Sequence, residues 1–157
     1  MRVVVPHTAR HPDTIAGAPP GAEWVRVSED RFAYWRLLCR LWADGEGFMV
    51  LEHDVVCRPD VLDQFGTCDE PWCAFPYADM CCAACVEKWR NTLGCTRFSA
   101  EIIRAVPDAV SGITPGMRDW HCLCNGLGAA LRTAGFTHHW HAPPVRHHHM
   151  SLRGVRV

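Results

Sequence analysis

Phe48-Met49-Val50-Leu51-Glu52-His53-Asp54-Val55 is the stretch on which the reading of the fold turns. Four apolar residues follow a Gly45-Glu46-Gly47 turn, and an unbroken apolar run of that length reads as a strand buried on both faces of a sheet. Glu52 and Asp54 emerge at its carboxyl edge. Desolvating two unpaired carboxylates is costly, so their position asks for a bound cation or for partners of opposite charge. Side chains at i and i+2 of a strand share a side, so Glu52 and Asp54 can hold one ion, directly or through water, while His53 turns to the other face. Capping a helix, or pairing with loop arginines, is the competing account.

Working outward, Val3-Val4-Val5 before Pro6 reads as a second buried strand, followed by a long loop over residues 7–21. Glu23 to Val27 alternates as a further strand, and Ser28 to Asp30 offers cap chemistry for a helix over 31–43, in which Tyr34, Trp35, Leu38, Leu41 and Trp42 share a face. A helix is expected from Pro59 towards a stop at Gly66, a strand over 72–77, a helix from Ser99 to Val106, and a last helix over 120–134 capped by Gly135. Strands alternating with helices predict an α/β fold, a compact single-domain, Rossmann-like mixed sheet flanked by helices. Residues 1–157 are expected to form one domain. Ligands in such sheets sit outside the carboxyl ends of the strands, which groups Pro6 to Arg10, Ser28 to Asp30 and Glu52 to Asp54 around one crevice.

Composition narrows the function classes. The 157 residues are 48% hydrophobic, enough for a core without staples, and a net charge of −1 with no basic block argues against a large nucleic-acid footprint. No signal-like or membrane-spanning apolar run is present, so a cytoplasmic protein without membrane contact is expected. In that setting the ten cysteines are read as reduced. Cys39, Cys57 and Cys95 sit among apolar residues and read as small hydrophobes. Cys68, Cys73, Cys81, Cys82, Cys85, Cys122 and Cys124 could supply thiolates to a structural zinc, although only Cys82-x-x-Cys85 has knuckle spacing. The tail adds imidazoles: His138-His139-Trp140-His141 and Val145-Arg146-His147-His148-His149 place histidines at alternating positions, and in an extended segment His147 and His149 face the same way.

Four blocks together resemble the GT-A glycosyltransferases, and most closely their small, phage-type members. They are Val50 to Val55, Pro71-Trp72-Cys73-Ala74-Phe75-Pro76-Tyr77, Leu93-Gly94-Cys95-Thr96-Arg97-Phe98-Ser99, and the Pro143-Pro144-Val145-Arg146-His147-His148-His149 tail. The chain departs from the pattern in its short nucleotide-binding half and in the cysteines between Ala78 and Lys88. The resemblance implies a nucleotide- and metal-binding half over 1–56, an acceptor half over 57–157 ending in a metal-ligand tail, a nucleoside-diphosphate-sugar donor and a manganese or magnesium ion. It assigns Asp54 as a direct metal ligand, Glu52 as a ligand through water or a ribose contact, and His147, with His149 as second choice, as the distal ligand. Pro6, His7, Thr8, Arg10, Asp30, Arg31 and Tyr34 would line the nucleotide, flanked by the Glu52-His53-Asp54 segment. Trp72, Tyr77, Thr96, Arg97 and Trp120 would meet the sugar or acceptor, and Asp119 or His121 would be the base. A modified DNA base, a protein or a small molecule are all open as acceptor. Two other readings use the same residues: a non-enzymatic Cys/His zinc-binding interaction module, and a metal-dependent hydrolase.

Overall fold

The computed structural model describes residues 1–28, 30–77 and 93–148. Cys81, Cys82, Cys85 and His149 lie outside them. The elements run β1 (Arg2–His7), α1 (Pro12–Gly17), β2 (Glu23–Arg26), α2 (Ala33–Ala43), β3 (Phe48–Leu51), β4 (Val55–Val56), α3 (Pro59–Thr67), β5 (Trp72–Ala74), β6 (Cys95–Phe98), α4 (Ala100–Ala105), a 3-10 turn (Pro115–Met117), α5 (Trp120–Thr133), β7 (His139–Trp140) and β8 (Arg146–His147). Six strands form one mixed sheet in the order β2-β1-β3-β6-β5-β7. β3 is central, parallel to β1 and antiparallel to β6, and all four of its residues are buried. The continuous apolar run is therefore what a two-face-buried strand requires.

Alternation along the strands sorts the core into two layers. Val4, Phe48, Val50, Trp72 and Phe98 face α2, α4 and α5, whereas Val3, Val5, Met49, Leu51, Cys73, Phe75 and Cys95 face α3 and Val145. The first layer is aromatic at its centre: Phe98 lies 5.3 Å from Trp42 and 5.4 Å from Phe48, ring centre to ring centre. The indoles of Trp35 and Trp42 donate to the carbonyls of Val110 and Val106 at 2.9 and 2.8 Å, fastening α2 to the segment after α4. Gly126, a weak helix former inside α5, is explained by approach: a Cβ there would lie 2.8 Å from the Ile113 side chain.

Several boundaries differ from the sequence reading. Residues 7–21 are not all loop, because Pro12 occupies the first turn of α1, where its missing N–H costs nothing, and the His11 imidazole caps it by accepting from Asp13 N–H at 3.2 Å. α2 begins at Ala33, since Asp30 accepts from Phe32 N–H at 2.7 Å and makes a turn first. α3 continues through Gly66 to Thr67. The strand expected over 72–77 ends at Ala74, and Tyr77 makes a lone bridge to Val145. Ser99 does cap α4, accepting from Ile102 N–H at 3.3 Å. Among the described residues no helix is long and apolar enough to cross a membrane.

Phe98→Ala removes the ring shared by Trp42, Phe48 and Trp72 and is expected to lower the unfolding free energy by about 3–5 kcal/mol. Ile15→Ala, at a half-exposed position, should stay within about 0.5 kcal/mol. Urea titrations of the two variants check this, and equal losses would contradict the assignment of the core.

Candidate functional site

β3 ends at Leu51, and the next residues turn: Glu52 N–H donates to the Gly94 carbonyl at 2.8 Å, and Val55 N–H returns to the Glu52 carbonyl at 3.0 Å. The i, i+2 strand argument for Glu52 and Asp54 therefore does not apply; the turn is what gathers this segment. Glu52, His53 and Asp54 are all nine-tenths or more buried. β8 then pairs antiparallel with β4, setting His147 opposite Val55, while His148 N–H donates to the Asp54 carbonyl at 2.8 Å. This register delivers His147 Nε2 to within 3.3 Å of Asp54 Oδ2. Tyr77 stacks on the His147 ring at 4.3 Å and donates from its hydroxyl to Glu52 Oε2 at 3.4 Å. Glu52, Tyr77, His147 and Asp54 are thus linked in a row of contacts.

Gly94 makes the Tyr77–Glu52 contact sterically feasible. A Cβ at this position would fall 1.6 Å from the Tyr77 hydroxyl, so any larger residue would expel the phenol from its place beside Glu52.

The electrostatics divide the two acids. Burial, then the neighbouring Asp54 charge, push the Glu52 carboxyl up to about 7 against the pull of His147, Tyr34 and Tyr77. Burial also raises Asp54, but the His147 imidazole and His53 more than offset it and hold that carboxyl below its ordinary value. Asp54 is the anion of the pair. Tyr34, fully buried, is raised by burial and then by the Glu52 charge, and it remains a neutral phenol.

Two buried polar atoms without hydrogen-bond partners among the described residues lie at this edge, His7 Nδ1 and Thr8 Oγ1. Buried polar atoms are nearly always satisfied, so this pair at the carboxyl end of β1 marks a place for a polar ligand. Burial lowers the pKa values of His7 and His53, keeping both neutral. Trp120 closes the wall, 4.6 Å from Tyr34 and 5.7 Å from His53. His53 therefore packs against the same indole as Tyr34, not on the far side of the sheet.

The other residues singled out in the sequence divide. Pro6 is buried next to His7, and Arg10 is exposed with its guanidinium 5.0 Å over the Trp24 ring. Asp30 is taken up by Arg36 and Phe32 N–H, and Arg31 lies over Phe32. Thr96 is fully buried opposite Val50. Trp72 and Arg97 do not join the site. Trp72 pairs with Phe98, itself paired with Phe48 at the other end of β3, and is 2% exposed core stacked on His138 at 4.2 Å. Arg97 donates to the Glu70 carbonyl at 2.8 Å and sits 3.5 Å from Cys73 Sγ. Asp119 is the cap of α5, accepting from Cys122 N–H at 3.1 Å, and His121 is exposed on the first turn.

Two ligand-bearing clusters were not foreseen in this form. His11, Asp13 and His148 bring three ligand atoms within 4.8 Å of one another, with His148 Nε2 3.1 Å from Asp13 Oδ2 and its ring stacked 3.8 Å from His11. His148, the residue after β8, goes there while His147 meets Asp54. Cys68, Cys73 and His141 do the same on the α3 face of the sheet. Cys124, pushed up to about 12 by burial and the nearby Glu52, belongs to the opposite layer, so Cys122 and Cys124 do not combine with Cys68 and Cys73 as one four-thiolate cluster.

No protein-family model and no curated protein matches the chain. Among solved structures it is similar to A197 from STIV, at 14% identity over 90% of this chain and 82% of that one, with a TM-score of 0.48. It is also similar to a Bacillus anthracis protein assigned as a glucose-1-phosphate thymidylyltransferase, solved with a sucrose, at 9% identity over 89% and 67% of the two chains, with a TM-score of 0.41. Likenesses at this level say nothing of activity.

Gly94→Ala should cost about 1–3 kcal/mol through overpacking against Tyr77. Tyr77→Phe, which loses only the hydroxyl, should cost about 1 kcal/mol. Urea unfolding orders the two, and a Gly94→Ala protein as stable as the parent would refute the placement of Tyr77 at Glu52.

Proposed function

We propose that this chain is a metal-dependent glycosyltransferase that moves a sugar from a nucleoside-diphosphate sugar to an acceptor. The observation that carries the reading is the linked row of Glu52, Tyr77, His147 and Asp54 at the carboxyl end of the central strand, beside the unsatisfied His7 Nδ1 and Thr8 Oγ1. Two carboxylates that share one desolvated place, one of them pushed up to about 7, fit a divalent cation, which would relieve the repulsion that raises Glu52. Carboxylate oxygens with one imidazole suit manganese or magnesium.

Asp54 and His147 would hold the ion directly, with Glu52 acting through water or on the ribose. When bound, such an ion offsets the charge that develops on the departing nucleoside diphosphate. The chain's own residues do the rest. His7 and Thr8, with unsatisfied polar atoms at the end of β1, take the polar edges of the nucleotide, and Arg10 is available for phosphate. Trp120 and Tyr34 form an aromatic wall that shields the site from water. Tyr77 holds the His147 ring in its orientation by stacking and steadies Glu52 by its hydroxyl. Asp119 and His121, where α5 begins, are the candidates to take the acceptor's proton.

A thermal-shift panel tests this. A matching nucleoside diphosphate or its sugar, added with manganese at about one hundred times its dissociation constant, should stabilise the protein by about 2.7 kcal/mol. Neither component alone should suffice, and Asp54→Ala and His147→Ala should abolish the effect. Full stabilisation of Asp54→Ala would sink the metal assignment. Indifference to every nucleotide with zinc tightly bound would favour a binding module, and sugar release without any need for an acceptor would favour a hydrolase.

A further inference from the structure

We propose that Cys68, Cys73 and His141 form a zinc site, separate from the acidic site, that staples the returning C-terminal segment to the sheet. The three residues come from three elements: Cys68 directly follows α3, Cys73 is the middle residue of β5, and His141 directly follows β7. One ligand atom from each lies within 4.8 Å of the other two. Around a tetrahedral zinc, with sulfur at about 2.3 Å and nitrogen at about 2.0–2.1 Å, such atoms stand about 3.6–3.8 Å apart, so a contraction of at most about 1.2 Å completes the shell. Both cysteines are free thiols.

The imidazole is held in place before any ion arrives. It stacks on Phe75 at 4.9 Å, meets Phe65 edge-on at 5.4 Å, and its backbone N–H donates to the Ala74 carbonyl at 2.9 Å. Its Nε2 is buried with no hydrogen-bond partner among the described residues. Arg97 Nη1, 3.5 Å from Cys73 Sγ, places a cation beside a sulfur that must become a thiolate to bind metal. Two thiolates and one imidazole form a soft donor set that selects zinc over the magnesium or manganese suited to carboxylates. The fourth position is left to water or to a ligand outside the trio.

The location gives the site a purpose. After His141 the chain runs through Pro143 and Pro144, whose carbonyls accept from Arg58 at 3.0 and 2.7 Å, and Val145 N–H then donates to the Pro76 carbonyl at 2.8 Å. β8 follows at once and presents His147 to Asp54. A zinc at His141 would fix the start of this segment to β5 and α3 and so define where His147 lands. The inference does not rest on the transferase reading, since it concerns how the tail is anchored.

Metal analysis of the full chain, purified without added chelator, should find about one tightly held zinc per molecule. Replacement by cobalt should give a thiolate-to-cobalt charge-transfer band, a signature that carboxylate or histidine sites cannot produce. Cys68→Ser and His141→Asn, both at half-buried positions, should each lose most of the metal while keeping the circular-dichroism spectrum of the parent, and His11→Asn should keep it. Hydrogen exchange at the amides of His141 and Val145 should rise when zinc is stripped. A zinc-free protein that does not take up cobalt with a thiolate band, a Cys68–Cys73 disulfide in the purified chain, or zinc lost with His11 but retained in Cys68→Ser would overturn the proposal. If the serine and asparagine variants fail to fold, the cobalt spectrum of a chain with Cys81, Cys82, Cys85 and Cys122 replaced by serine decides: a retained thiolate band upholds the site and its absence refutes it.

Discussion

Two carboxylates taken out of water at the end of a central strand set the terms for their surroundings. Neither can be left alone, because an uncompensated buried charge costs more than any one contact in a domain of this size supplies. The chain answers with groups drawn from distant parts of the sequence. The His147 imidazole goes to Asp54, the Tyr77 phenol goes to Glu52, and Gly94 gives up its side chain to let that phenol in. The result is asymmetric: Asp54 is kept as the anion and Glu52 is held near neutrality. Paired titratable groups whose surroundings push them apart are characteristic of sites where chemistry or ligand binding happens.

The legibility of this arrangement in the sequence follows from how local each signal is. β3 was readable because a four-residue apolar run between glycines and acids has few other uses, and α4 and α5 because Ser99 and apolar periodicity declare them. α1 was hidden because Pro12 counts as a breaker everywhere except in a first turn, and nothing nearby says that a turn begins there. The failures within the site are of another kind. Trp72 and Arg97 belong to the right segments, but which end of an antiparallel strand meets Glu52 depends on register with β6, a property of the partner. His53 was misdirected because the chain turns after Leu51, whereas placing Glu52 and Asp54 on one side needs it to stay extended through Asp54. His11, Asp13 and His148 carried no pattern at all, since their meeting depends on β4 pairing with β8.

The histidine tail, which in sequence looks like one metal tract, is distributed in space. His138 packs on Trp72, His141 sits between Phe65 and Phe75 beside two thiols, His147 meets an acid, and His148 stacks on His11. Alternation and a change of direction through Pro143 and Pro144 separate donors that are adjacent in sequence. Soft donors end up on the α3 face and carboxylates at the strand edge, which keeps the two ligand chemistries from competing for one ion.

The pairing of β4 with β8 also imposes an order of events on the ribosome. Glu52 and Asp54 are synthesised early, and more than half of the chain must follow before His147 exists to meet them. Until then Asp54 lacks the imidazole that offsets its burial, so this end should stay open to water in the nascent chain. Closing a contact of such sequence separation is slow and comes late in folding. A translation product that stops short of the last strand would keep most of the apolar core yet leave this acidic end unassembled.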